Sequence, residues 1–124
     1  MAPRPTILIA ACDTYLAGIY GRKFERDGWE VEVVERVKDA EHRAVQVRPA
    51  VLMFEADCVA DVAKEVRRLK ALPTLLKTHI VVLASRAHMH GVRDAMLAGA
   101  SDYLLVGHFV PQEAVAKMKR LLSL

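Results

Sequence analysis

The sequence predicts an α/β fold: a doubly wound five-stranded parallel sheet with strand order 2-1-3-4-5, flanked by five helices. Five short apolar runs rich in β-branched residues alternate with five amphipathic stretches, and the connections are short. The middle run, 50–54, is apolar without interruption, which is typical of a central parallel strand covered on both faces. Strands and helices that alternate in this way form parallel sheets with right-handed crossovers, and five such units most commonly take this order.

Turn-forming residues set the boundaries in the first part of the chain. Either Asp13 or Thr14 is expected to cap the first helix, and Gly28 follows its end. The second strand alternates in part, with Val31 and Val33 set against acidic neighbours, as an outer strand would. The predicted strands are Thr6–Ala10, 29–35, 50–54, 80–83 and 103–106.

Prolines set the helix boundaries in the rest of the chain. Pro49 follows the second helix, Pro73 ends the third, and Pro111 suits the first position of the last. The predicted helices are 15–26, 38–47, 59–72, 91–98 and 111–122.

Composition favours one globular domain over residues 1–124, because 53% of residues are hydrophobic and 27% are charged. The net charge of +3 comes from basic residues that are spread over the helices among acids, so solvated helix faces are favoured over a nucleic-acid surface. The N-terminus leads straight into a strand and offers no signal peptide, and no apolar run could span a bilayer. We therefore expect a cytoplasmic protein whose two cysteines are reduced, ordinary thiols.

The predicted topology itself locates a ligand crevice. In open parallel sheets of this order, ligands bind at the carboxyl ends of strands one and three, where the winding direction changes. The residues that follow those two strands are Ala11, Cys12, Asp13, Glu55, Ala56 and Asp57.

Three segments give the chain a resemblance to response-regulator receiver domains, over residues 7–122. They are residues 7–10 in the first strand, residues 49–54 leading into an acidic residue, and the fairly specific run 99–105, Gly-Ala-Ser-Asp-Tyr-Leu-Leu. The resemblance implies a flavodoxin-like fold and a role in two-component signal transduction.

The residues that would carry receiver chemistry are all changed. The resemblance implies a phosphoacceptor aspartate at Glu55, magnesium-binding acids at Ala11 and Cys12, a hydroxyl residue at Ala84 and a lysine at Val106. Without the ion and the lysine, nothing would neutralise the developing phosphoryl charge. We expect a degenerate phosphoacceptor pocket, no enzymatic activity, and neither cofactor nor metal. The pocket residues are Ala11, Cys12, Asp13, Glu55, Asp57, Ala84, Ser85 and Val106.

Alternative interpretations of this pocket remain open. Glu55 is either a built-in mimic of the phosphorylated aspartate or, as we favour, a solvated carboxylate. Cys12 and Cys58 follow adjacent strands, so a metal or redox site that also draws on Asp13, Glu55 and Asp57 is conceivable. Ordinary thiols are favoured over that site, because no CxxC or histidine spacing supports it.

We interpret the chain as a stand-alone atypical receiver domain that acts as a phosphorylation-independent signalling adaptor. The resemblance implies that it binds another signalling protein, or a second copy of itself, through helix 4, strand 5 and helix 5. Tyr103 on that face is either permanently buried or a half-buried edge aromatic. Alternatives are a small-ligand sensor that uses the altered crevice and a dimerisation module; membrane and nucleic-acid partners are not expected. The expected partner-binding residues are Met89, His90, Arg93, Tyr103, His108, Lys117 and Lys119.

Overall fold

A computed structural model describes residues 4–85, 89–107 and 111–123. These residues form five strands and five α-helices that alternate along the chain. The strands are β1 (Thr6–Ala10), β2 (Glu30–Val34), β3 (Val51–Glu55), β4 (His79–Ala84) and β5 (Asp102–Leu105). The helices are α1 (Thr14–Arg26), α2 (Val37–Val47), α3 (Val62–Lys70), α4 (Met89–Leu97) and α5 (Pro111–Leu121).

The strands pair in the order β2-β1-β3-β4-β5, and each pairing is parallel, so the predicted fold is confirmed. The central strand β3 is buried along its whole length. Its side chains alternate between two cores, since Leu52 and Phe54 pack with α2, α3 and α4, whereas Val51 and Met53 pack with α1 and α5. This two-sided burial explains why the strand reads as a continuous apolar run. No helix among the described residues is long and apolar enough to cross a membrane.

The third helix is shorter than predicted. It begins at Val62 because the side chain of Asp61 caps it, accepting a hydrogen bond from the Lys64 N–H at 3.1 Å. The segment Ala56–Cys58 instead forms a 3₁₀ turn directly after β3. This turn keeps Cys58 close to the end of the strand.

The outer strand β2 also departs from the expected burial. Val31 packs on the α1 side of the sheet, as expected, but Val33 is 48% exposed. Val34 is half-buried against the opposite core. Val33 lies on the same face of the strand as Val31, as the alternation predicts, but this edge strand is incompletely covered and leaves it exposed.

Candidate functional site

The predicted crevice lies at the carboxyl ends of β1 and β3. The two strands are neighbours, and Ala10 pairs with Phe54 at their ends. The residues that follow, Cys12 and Asp13 on one side and Glu55 on the other, therefore meet at one edge of the sheet. Asp13 also caps α1 by accepting the Leu16 N–H at 3.1 Å, which fixes where the helix leaves the crevice.

A disulfide joins Cys12 to Cys58 across this edge. The two Cα atoms are 5.9 Å apart, within the usual range for a disulfide. The prediction of two reduced thiols is wrong for this structure. Residues that follow adjacent strands start about 4.8 Å apart, and the 3₁₀ turn Ala56–Cys58 holds the second cysteine within reach of the first.

Glu55 lies directly beneath the disulfide and is only 7% exposed. Its Oε1 accepts a hydrogen bond from the Asp13 backbone N–H at 3.1 Å. The same oxygen is 3.7 Å from Cys12 Sγ and 3.4 Å from Cys58 Sγ. Disulfide sulfurs carry no hydrogen, so these two contacts are not hydrogen bonds in the oxidised protein. Glu55 is thus a buried carboxylate held by a backbone donor, and the favoured interpretation of a solvated group was wrong.

The other predicted polar residues of the crevice form a separate pair. The Ser85 hydroxyl, after β4, donates to Asp57 Oδ1 at 3.3 Å. Asp57 is exposed on the 3₁₀ turn, whereas Glu55 is buried below it. The structure therefore brings the Glu55, Asp57 and Ser85 side chains to one edge of the sheet but at two depths.

The remaining predicted pocket residues, Ala11, Ala84 and Val106, are apolar. Ala11 and Ala84 are buried, one in each core. Val106 is half-buried against the α1 and α5 core, and its backbone N–H donates to the Ala84 carbonyl at 2.8 Å. None of these three side chains can ligate magnesium or contact a phosphoryl oxygen.

A groove of about 760 Å³ opens beside the disulfide, towards α2 and α3. Charges of both signs line it, and Arg68 forms ion pairs with both Glu41 and Glu65. Burial raises the pKa of the Glu65 carboxyl, and the charge of Lys64 lowers it by a smaller amount. The sequence alone does not predict this groove, since it depends on how two helices flank the 3₁₀ turn.

Three side-chain atoms at the crevice lie within 4.8 Å of one another and belong to residue types that ligate metals. They come from Cys12, Glu55 and Cys58. Cys58 is not among the predicted pocket residues, although its position shortly after a strand next to that of Cys12 places it near the crevice.

Two of the expected partner-binding residues that the structure describes, Lys117 and Lys119, point to different sides of α5. Tyr103 is half-buried, and Lys117 Nζ lies 5.4 Å from its ring centre and 3.2 Å from Asp102 Oδ1. Lys119, two residues further along α5, instead lies 3.6 Å from Asp27 Oδ2 beside α1. Two residues that are two apart on a helix point in different directions, so Lys119 was wrongly grouped with Tyr103.

Arg93 is exposed on α4, consistent with an available surface. His108 lies outside the described residues, as do the side chains of Met89 and His90.

Known structures with the same chain path are response regulators. A provisionally assigned response regulator from Chloroflexus aurantiacus aligns with a TM-score of 0.86 and 24% identity, over 98% of this chain and 100% of that one. The chemotaxis response regulator CheY4 of Vibrio cholerae aligns with a TM-score of 0.83 and 17% identity, over 96% and 99% of the two chains. An atypical orphan response regulator, described as having a phosphorylation-independent regulatory mechanism, aligns at 0.82 and 18%, over 95% of each chain.

The sequence itself matches none of the protein-family models and none of the curated proteins compared with it. The likeness is therefore one of structure, at identities that establish the fold alone. The chain has the fold of response-regulator receiver domains.

Proposed function

We propose that this chain is a receiver-type module of two-component signalling that acts by binding a protein partner and not by phosphoryl transfer. The observation that carries the proposal is the composition of the crevice. In receivers, two acids after the first strand hold magnesium. Here Ala11 and Cys12 occupy those positions; Ala11 is buried, and Cys12 Sγ is bonded to Cys58. Magnesium prefers oxygen ligands, which neither residue supplies.

The rest of the crevice supports the same conclusion. The Glu55 carboxylate is covered by the disulfide and already accepts a backbone hydrogen bond. Val106 and Ala84 replace the lysine and hydroxyl residue that would contact the phosphoryl group, and both pack against apolar neighbours. An incoming phosphodonor would meet neither a magnesium ion held by acids at Ala11 and Cys12 nor a lysine at Val106, and the Glu55 carboxylate is obstructed. The described residues therefore lack the receiver's means of stabilising the charge that develops in phosphoryl transfer.

Incubation with acetyl phosphate and magnesium tests this proposal. We expect no hydroxylamine-sensitive phosphoprotein by intact mass, under conditions that phosphorylate a receiver domain carrying the aspartate, the magnesium-binding acids and the lysine. A phosphoprotein that is lost in Glu55→Gln would overturn the proposal. Restoring the receiver pattern would require five changes together: Ala11→Asp, Cys12→Asp, Glu55→Asp, Ala84→Thr and Val106→Lys.

The surface proposed for the partner comprises Arg93 on α4 and Tyr103 with Lys117 on β5 and α5. Arg93 supplies an exposed positive charge on α4, and Tyr103 supplies a half-buried aromatic ring on β5 with Lys117, itself paired with Asp102, near its face. An acidic, partly apolar partner surface would complement these two features. Arg93→Glu should weaken capture of the partner at least tenfold, whereas Glu55→Gln, at the crevice, should leave its affinity unchanged within twofold. Equal losses in both variants would contradict this assignment.

A small-ligand sensor is the second candidate, because the groove of about 760 Å³ beside Cys12 is large enough for a metabolite. Thermal denaturation against a metabolite set distinguishes the two. A sensor predicts a rise in melting temperature that Arg68→Ala abolishes, whereas the adaptor predicts no such rise.

A further inference from the structure

The proposed adaptor function uses neither the two cysteines nor the buried glutamate between them. Cys12 Sγ, Cys58 Sγ and a Glu55 carboxylate oxygen converge at the crevice within 4.8 Å of one another. Cys12 is exposed and Cys58 is half-buried, so reductants and ions can reach the pair from solvent. Glu55 is the buried polar partner of both sulfurs.

We propose that reduction of the Cys12–Cys58 disulfide creates a binding site for a thiophilic divalent cation such as Zn²⁺. The ligands are Cys12 Sγ, Cys58 Sγ and Glu55 Oε1, and water completes the tetrahedral shell. The site takes its identity from thiolate ligation and therefore differs from a magnesium site built of carboxylates.

The two distances from Glu55 Oε1 to the cysteine sulfurs already match those between ligands of a tetrahedral zinc site. Bonds of about 2.3 Å to sulfur and about 2.1 Å to oxygen in a tetrahedral site place sulfur and oxygen ligands about 3.6 Å apart. Glu55 Oε1 lies 3.7 Å from Cys12 Sγ and 3.4 Å from Cys58 Sγ. Only the two sulfurs must move apart, to about 3.8 Å, and breaking their covalent bond permits this.

The carboxylate is also held in position for binding. The Asp13 N–H donates to the same Glu55 oxygen at 3.1 Å, and the N-terminus of α1 fixes that backbone group. A ligand oriented by a second hydrogen-bond partner loses less entropy when the ion binds.

The chemistry balances with a dithiol as the reductant. A dithiol such as dithiothreitol transfers two electrons and two protons, forming its own cyclic disulfide and leaving both cysteines as thiols. Binding of the cation then releases the two thiol protons to solvent, since only the thiolates act as ligands. A small disulfide such as oxidised glutathione accepts two electrons from the thiolates, is released as two thiols, and so restores the Cys12–Cys58 bond and expels the ion. Occupancy therefore depends on redox conditions.

Cobalt titration tests the proposal, because Co²⁺ bound by thiolates shows charge-transfer absorption in the near ultraviolet. Reduced protein, freed of reductant under anaerobic conditions, should bind one Co²⁺ per chain with this band, and Zn²⁺ should displace it. Excess Mg²⁺ should not displace it, and oxidised protein should show no band. Reduced protein without the band would overturn the proposal.

Variants then assign the ligands. Cys12→Ser should abolish the band and Glu55→Gln should weaken binding at least tenfold. Asp61→Asn, which changes a nearby exposed carboxylate while keeping a capping oxygen, should leave binding unchanged. Unaltered binding in Cys12→Ser would contradict the assignment.

A measurement on the unmodified sequence covers the case in which these variants fail to fold. Zn²⁺ should slow alkylation of both cysteines in the reduced protein at least tenfold. Alkylation at the same rate with and without Zn²⁺ would refute the site.

Discussion

Breaking the Cys12–Cys58 disulfide should lower the stability of this protein substantially. The bond joins residues 46 apart in sequence, so it closes a long loop in the unfolded chain. With a loop of that length, the chain-entropy relation gives a loss of about 13–14 cal/mol/K, or about 4 kcal/mol at 25 °C. For a typical urea dependence of about 2 kcal/mol/M, the unfolding midpoint should fall by about 2 M.

Urea denaturation of the protein with and without dithiothreitol measures this effect. The double variant Cys12→Ser, Cys58→Ser serves as the matched control, because it should unfold near the midpoint of the reduced protein and ignore the reductant. The dependence on urea should also steepen on reduction, since an uncrosslinked unfolded chain exposes more surface. Equal unfolding midpoints with and without dithiothreitol, together with two titratable thiols before reduction, would show that the Cys12–Cys58 disulfide is not present.

Three further substitutions test the core, a helix cap and a buried hydroxyl. Phe54→Ala should lower the free energy of unfolding by about 3–5 kcal/mol in urea titrations, because Phe54 is fully buried; a loss below about 1 kcal/mol would contradict its packing. Asp61→Ala should cost about 1 kcal/mol by removing the cap of α3, whereas Asp61→Asn should be nearly neutral; equal effects would exclude a capping role. Burial raises the pKa of the Tyr20 hydroxyl above 10.0, so the folded state keeps this proton to higher pH than the unfolded chain does. The free energy of unfolding should therefore fall above about pH 10, and Tyr20→Phe should make that fall less steep. An unchanged pH dependence in Tyr20→Phe would contradict a buried Tyr20 hydroxyl.

Local sequence patterns predicted the architecture well because burial and turn chemistry agree along most of the chain. The bounds of β1, Thr6–Ala10, were predicted correctly, and the continuous apolar run in β3 reflects its burial in two cores. The start of α3 was misplaced because apolar residues continue upstream of Asp61, whose side chain caps the helix and sets its first residue at Val62. The spacing of apolar residues alone does not reveal whether a helix begins at the first apolar residue or at the capping residue after it.

The crevice was located by topology, but its chemistry was only partly predictable. That Ala11, Cys12 and Glu55 follow the two strands that meet at the crevice is predictable from the sequence. The disulfide and the burial of Glu55 are not, because they depend on a three-residue turn that directs Cys58 back over the strand end. The expectation of reduced thiols came from the expected cytoplasmic location, which does not depend on how close two particular cysteines lie in the fold.

Amide NMR shows directly whether the crevice acts as a phosphorylation switch. The protein is titrated with magnesium and then with beryllofluoride, which mimics a bound phosphoryl group, in both the oxidised and the reduced form. We expect unmoved resonances around Cys12, Glu55 and Ala84 in both forms. Saturable shifts at these residues that extend to Tyr103 would show a working switch and contradict this expectation.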